Sequence, residues 1–186
     1  TINMLVFSGA AGAKRIFDVI DQPIKISNDA SLPNLKDVKG DIKFSNVSFK
    51  YENSEDKAVN DINFEISGGS MAAFVGHSGA GKSTIINLLP RFYDPQKGKI
   101  FIDGLNTNSV NLKSLRKNIS LVSQDVVLFD DTIKKNILYA EESASDEDIV
   151  KACKFAAAHE FISKMPEGYE TIIGENGVKL SGGQKQ

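Results

Sequence analysis

From Asp41 onward, apolar residues recur at every second position: Ile42 and Phe44, then, after a shift in phase, Val47, Phe49 and Tyr51. That spacing predicts a half-buried strand. A polar, turn-like stretch at 52–58 follows. Ile62, Phe64 and Ile66 then repeat the alternation up to a turn at Gly68-Gly69, so the two strands read as an antiparallel pair. Two short apolar runs, Met71–Val75 and Ile119–Ser123, suit strands buried on both faces, and 98–103 predicts one more strand. Helical spacing runs from Lys82 to about Phe92. A second helix is expected over 145–158, where Ser145 and Asp148 form a capping-box pattern and acids crowd the first turn. Upstream, Ile16, Phe17 and Ile20 share one helical face until Pro23 breaks the pattern. Residues 24–40 have the Ser, Asn, Asp, Pro and Gly content of a linker. The expected organisation is therefore a helix over 1–22, a linker over 23–40 and a globular part over 41–186.

Composition changes this picture little. With 186 residues, 41% hydrophobic and 25% charged, the chain falls among ordinary globular domains rather than disordered ones. A net charge of −2, with Lys and Arg dispersed, gives no basic surface for nucleic acid. The single cysteine, Cys153, has no internal partner, which fits a reducing compartment. No apolar run reaches the roughly 18 residues of a membrane span, and the apolar start is cut short by Lys14 and Arg15, a poor signal peptide. The expectation from these features is a soluble, cytosolic chain.

The chemistry concentrates in Gly76-His77-Ser78-Gly79-Ala80-Gly81-Lys82-Ser83, which matches the P-loop pattern between an expected strand and an expected helix. Its glycines let successive backbone N–H groups turn into one concavity, and the helix start adds positive potential, so the loop suits an anion. In this reading Lys82 reaches the outer phosphates of a nucleotide, the Ser83 hydroxyl ligates Mg²⁺ and Thr84 bonds the inner phosphate. His77 lacks neighbours with ligand spacing and reads as a solvent-facing loop residue; His159 reads as packed near a helix end.

A P-loop alone leaves kinases, GTPases and transport ATPases open. Leu180-Ser181-Gly182-Gly183-Gln184 narrows the choice, because it resembles the signature of ATP-binding-cassette proteins and follows the P-loop in that family's order and separation. The resemblance covers nearly the whole chain and implies an α/β P-loop cassette. Its parts are an N-terminal antiparallel subdomain, a mostly parallel core sheet flanked by helices, and a helical subdomain, here incomplete at the C-terminus. It implies that Tyr51 stacks on adenine, a contact worth about 1–3 kcal/mol on an aromatic partner. It implies that Gln124 contacts Mg²⁺ or the attacking water. It further implies that Ser181, Gly182, Gly183 and Gln184 clamp the ATP bound to the P-loop of a second, head-to-tail cassette.

Gly174-Glu175-Asn176-Gly177 and Ala13-Lys14-Arg15-Ile16-Phe17-Asp18 are similar to the loop before the signature and to the segment leaving the last membrane helix in exporters. Four stretches most resemble the MsbA-type lipid exporters. They are Arg91-Phe92-Tyr93-Asp94, Leu121-Val122-Ser123-Gln124, Phe129-Asp130-Asp131-Thr132 and Ile173–Val178. The implied partners are ATP, Mg²⁺, a second nucleotide-binding domain and a transmembrane domain, at the cytoplasmic face of the bacterial inner membrane. The alternatives are a soluble cassette ATPase of DNA repair or translation, which usually carries a coiled-coil insertion or a second cassette, and a small-molecule P-loop kinase.

The chain departs from the pattern after Gln186, where the family continues with the Walker B aspartate, the catalytic glutamate and a histidine loop. Phosphoryl transfer needs a held metal, an oriented water and stabilised charge together. ATP binding without efficient hydrolysis is therefore the expectation for these 186 residues, with strands 71–75 and 119–123 short of sheet neighbours.

Overall fold

The computed structural model describes residues 2–186, which fall into two units, one ending at Ser120 and the other running over Leu121–Gln186. In the first unit, α1 (Ile2–Ile20) precedes β1 (Ile42–Phe49) and β2 (Val59–Ile66). Then come α2 (Lys82–Leu88), β3 (Lys97–Ile102), β4 (Leu105–Asn106) and α3 (Leu112–Lys117). The strands form one antiparallel sheet in the order β2-β1-β3-β4. The phase shift read in the sequence is a bulge. Phe44 faces Phe64 and Val47 faces Ile62, with Asn46 between them at φ +50°. Across the sheet Gly98, at φ +81°, comes so close that a Cβ there would lie 2.4 Å from the Asn46 carbonyl oxygen.

The bulge keeps Phe44, Val47 and Phe49 on the buried side, where they join Val59, Ile100 and, from α2, Ile85 and Leu88. This core seats the helix that follows the P-loop. A second cluster joins Leu35 to Ile102, Val110, Leu112 and Leu115. Residues 23–40, expected as a linker, hold no helix or strand, yet Leu35 is only 5% exposed and its N–H donates to Ser114 Oγ at 2.9 Å. The segment is also pinned at its end. The Asp103 carboxylate accepts from the N–H groups of Lys39, Gly40 and Asp41 at 2.8, 3.0 and 2.8 Å. The apolar face of α1 carries Ile16, Phe17 and Ile20, all exposed. No described helix is long and apolar enough to cross a membrane.

Two expected strands are not there. Met71–Val75 and Ile119–Ser123 carry no strand assignment, and the described sheet holds no parallel pair. Met71 and Val75 are 99% and 93% exposed and Val122 is 72% exposed. Apolar runs of this kind become strands only when ladder partners satisfy their backbone groups and cover both faces. No such neighbour occurs among the described residues. The antiparallel subdomain of the expected cassette is formed; the parallel core sheet is not.

The second unit is helical: α4 (Ile133–Leu138), α5 (Asp146–Phe155), α6 (His159–Ile162) and α7 (Gly182–Lys185). Ser145 caps α5 through the expected box with Asp148, and those bonds hold the Asp148 carboxyl below the usual range. Ile133, Ile149, Cys153, Ile162 and Ile173 form the core. His159 lies at the start of α6, its Nδ1 2.9 Å from the Tyr169 hydroxyl. Burial, then the hydrogen bond and charge of Cys153, push the Tyr169 hydroxyl up to about 12.

The Asp103 clamp makes a measurable contribution. Asp103→Ala removes three charge-assisted bonds and leaves alanine at φ +49°, so it should destabilise the chain by about 2–4 kcal/mol. Asp103→Asn retains an acceptor oxygen and tolerates that φ, and should cost less than half as much. Thermal melts of the two variants, with amide exchange at residues 39–41, check this.

Candidate nucleotide-binding site

The loop 76–81 is built around two left-handed glycines, Gly79 at φ +80° and Gly81 at φ +84°. Gly81 is the N-cap of α2, and it packs directly on the sheet. A Cβ there would lie 2.3 Å from the Ala58 carbonyl oxygen and 2.9 Å from Val59 Cγ1. Only glycine meets both demands, the backbone conformation and the close approach. The first turn of α2 closes with Ile85 N–H on the Gly81 carbonyl at 3.0 Å, which leaves the amides of Lys82, Ser83 and Thr84 without helix partners. These amides and the helix start are what an anion needs.

Lys82 folds back over the loop, its Nζ donating to the carbonyls of Gly76 and His77 at 2.8 and 2.7 Å. The ammonium is thereby held at the loop's mouth by two neutral acceptors, which a phosphate oxygen can displace in favour of a stronger, charge-assisted bond. Ser78 and Ala80 are exposed, and Ala80 N–H donates to the His77 carbonyl at 3.3 Å, closing the turn. His77 is exposed as expected, its ring Nδ1 2.8 Å from the Ser78 carbonyl oxygen. The Ser83 hydroxyl is exposed and has no hydrogen-bond partner among the described residues, so it is free to take a cation. No group of three His, Cys, Asp or Glu side chains suited to a metal occurs among the described residues.

Tyr51 belongs to the same unit and is joined to the loop helix, because its hydroxyl lies 3.1 Å from Thr84 Oγ1. The ring meets Phe49 and Tyr93 edge-on, at 4.8 and 5.1 Å between centroids. A cleft of about 440 Å³ runs beside it, lined by Phe49, Tyr51, Phe92, Tyr93, Asp94 and Gln96 among others. Sequence reading missed Tyr93 and what fixes it. Arg91, 9% exposed at φ +54°, grips Asp94 with Nε and Nη2, each at 2.9 Å. Arg116 donates to the Pro90 and Arg91 carbonyls at 3.0 and 2.7 Å and lies over Phe92. The Arg91–Asp94 spacing is a visible signal for a bidentate pair; the Tyr93–Tyr51 contact leaves no local trace.

Gln124 and the signature lie in the second unit. Gln124 sits exposed in a bend, next to a turn closed by Ser123 Oγ on the Asp125 carbonyl at 2.6 Å. Ser181, Gly182 and Gly183 are exposed at the start of α7. The Gln184 side-chain oxygen accepts from Ser181 N–H at 2.9 Å and so shapes the turn, leaving the amide nitrogen of Gln184 to donate to an anionic ligand.

A glycine loop seated on the start of β2, with a lysine across its mouth and a helix starting at that lysine, has the spacing and anion-binding groups of a P-loop nucleotide-binding protein. Residues 59–186 match the ABC transporter family, and the chain belongs to that family, which implies ATP binding. It is 47% identical over all 186 residues to an ATP-dependent lipid A-core flippase of Legionella pneumophila (strain Paris), spanning 31% of that protein. Over 171 residues, 92% of the chain, it is 49% identical to a Staphylococcus aureus (strain NCTC 8325 / PS 47) protein named for multidrug export as an ATP-binding/permease protein, spanning 30% of it. Among solved structures, a bacterial Atm1-family ABC exporter with ATP bound superposes with a TM-score of 0.87 at 42% identity. That superposition covers 97% of this chain and 31% of the exporter. The chain thus spans less than a third of the length of these relatives.

Gly81→Ala tests the loop's geometry. With backbone atoms at 2.3 Å and a left-handed φ, the loop must shift, and ATP affinity should fall at least about tenfold, while a Gly79→Ala change, which meets open space, should cost less. Calorimetric titration of both variants decides the order.

Proposed function

We propose that this chain is the ATP-binding part of a membrane exporter that couples ATP binding and hydrolysis to export of a lipid or another hydrophobic substrate. The observation that carries the reading is the P-loop held on the antiparallel sheet by Gly81, with Tyr51 fixed beside it. The similarity to a lipid A-core flippase over all of the chain and to a multidrug export protein over 92% of it supports the exporter class.

In this reading Tyr51 stacks on the adenine. The backbone of Gly76, Ser78, Gly79, Ala80 and Gly81 wraps the phosphates, Lys82 neutralises the outer ones and Thr84 bonds the inner one. Mg²⁺ suits the Ser83 hydroxyl, which is exposed and free, because the ion keeps most of its waters and takes few protein ligands; Ser83 would supply one, and Gln124 is the further contact that the family resemblance implies. A Mg²⁺ held there would supply charge neutralisation at the phosphate oxygens. Ser181, Gly182, Gly183 and Gln184 close on the ATP of a second cassette, arranged head to tail. The exposed apolar face of α1, with Ile16, Phe17 and Ile20, is what a helix continuing from a transmembrane domain presents, at the cytoplasmic side of the bacterial inner membrane. Residues 1–22 are then the end of that connection, 23–40 the linker and 41–186 the nucleotide-binding part.

The gene carrying this segment tests the reading. The exporter proposal expects six hydrophobic spans encoded before residue 1 and an apolar strand ending in Asp soon after Gln186. A frame without spans, carrying a coiled-coil insertion or a second cassette instead, would mark a soluble repair or translation ATPase.

A further inference from the structure

Thr84 is an unusual place for a base-binding side chain to be anchored. It lies in the first turn of α2, 5% exposed, and its Oγ1 is 3.1 Å from the Tyr51 hydroxyl. The Tyr51 ring packs against the core of the unit and meets two aromatic neighbours edge-on, Phe49 at an interplanar angle of 85° and Tyr93 at 87°. Edge contacts brace the flanks of a ring but leave its far end free to swing about the Cα–Cβ bond; a hydrogen bond to the phenol oxygen fixes that end.

We infer that Thr84 is a positioning residue for the base, holding the Tyr51 ring through this hydrogen bond so that the base and phosphate subsites are set as one unit. The inference rests on the ATP-site reading above. A threonine hydroxyl has one proton and two lone pairs. In the free protein either oxygen can be the donor. A phosphate oxygen accepts only, so when it takes the Thr84 proton, Thr84 must accept from Tyr51. The chain then runs one way, Tyr51 to Thr84 to phosphate, and each bond polarises the next. Filling the phosphate subsite therefore tightens the platform on which the base lies.

The test is calorimetric titration of the chain with Mg²⁺-ATP and with Mg²⁺ and inorganic tripolyphosphate, which has the phosphates and no base. Tyr51→Phe keeps the ring and removes only the hydroxyl. It should weaken ATP about three- to tenfold and change tripolyphosphate less than about twofold, as one lost hydrogen bond predicts. Thr84→Val should weaken both ligands, ATP more than tripolyphosphate, and Thr84→Ser should restore both. In the double variant Tyr51→Phe with Thr84→Val, ATP affinity should match that of Thr84→Val alone, because the Tyr51 hydroxyl acts only through Thr84.

Tyr51→Phe binding ATP like the unaltered chain, or weakening both ligands alike, would overturn the inference. So would additive losses in the double variant. Tyr51→Ala separates this from failure of the underlying reading. If it too leaves ATP affinity unchanged, the base does not stack on Tyr51; if it weakens ATP while Tyr51→Phe does not, stacking stands and the positioning role falls. Absence of ATP binding by the unaltered chain would remove both.

Discussion

The close approach of Gly81 to the start of β2 is the contact on which the site depends. It places the N-cap of α2 against the Ala58 carbonyl and the Val59 side chain with no room for a Cβ, and it requires a left-handed backbone that glycine adopts without strain. From that joint the rest follows. The helix starts at Lys82 because Gly81 ends the loop. Ile85 and Leu88 then fall on the buried side, against Val47, Phe49 and Ile100. Thr84 turns toward Tyr51. The core and the candidate site thus share one short helix, with Thr84 buried alongside Ile85 and Leu88, and packing energy holds the loop in a shape that local propensity alone would not select.

The second layer of order is polar. Arg91 and Arg116 tie the turn after α2 through four bonds to Asp94 and to the carbonyls of Pro90 and Arg91, and this keeps Tyr93 against the Tyr51 ring. The buried Arg91 is the costly one to leave unpaired, because its guanidinium has little access to water to replace the bonds to Asp94. Asp103 does similar service where the chain enters the sheet, with its carboxylate shared among three successive amides. Both clusters act on backbone that the hydrophobic pattern leaves undefined.

Much of this was legible in the amino-acid sequence where the signal is local. Period-two spacing located β1 and β2 and even the bulge at Asn46, since a one-residue slip must move apolar residues to the opposite face. The capping box at Ser145 located the start of α5. The P-loop spacing located the left-handed glycines. What stayed hidden depends on residues far apart in the chain. Tyr51 and Thr84 meet across 33 positions. Leu35 is drawn from apparent linker into a core by Val110, Leu112 and Leu115. Met71–Val75 and Ile119–Ser123 show the opposite error, because an apolar run fixes what a segment prefers to bury, whereas a strand also needs partners to pair with.

The central claim is that ATP is held by the loop 76–84 together with Tyr51. Amide hydrogen exchange with and without Mg²⁺-ATP tests it most directly. The account predicts slowed exchange at residues 79–85 and around Tyr51, with the N–H groups of Lys82, Ser83 and Thr84 changing most, and little change on β4 or α5. Unchanged exchange in the loop, or protection concentrated elsewhere, would contradict it.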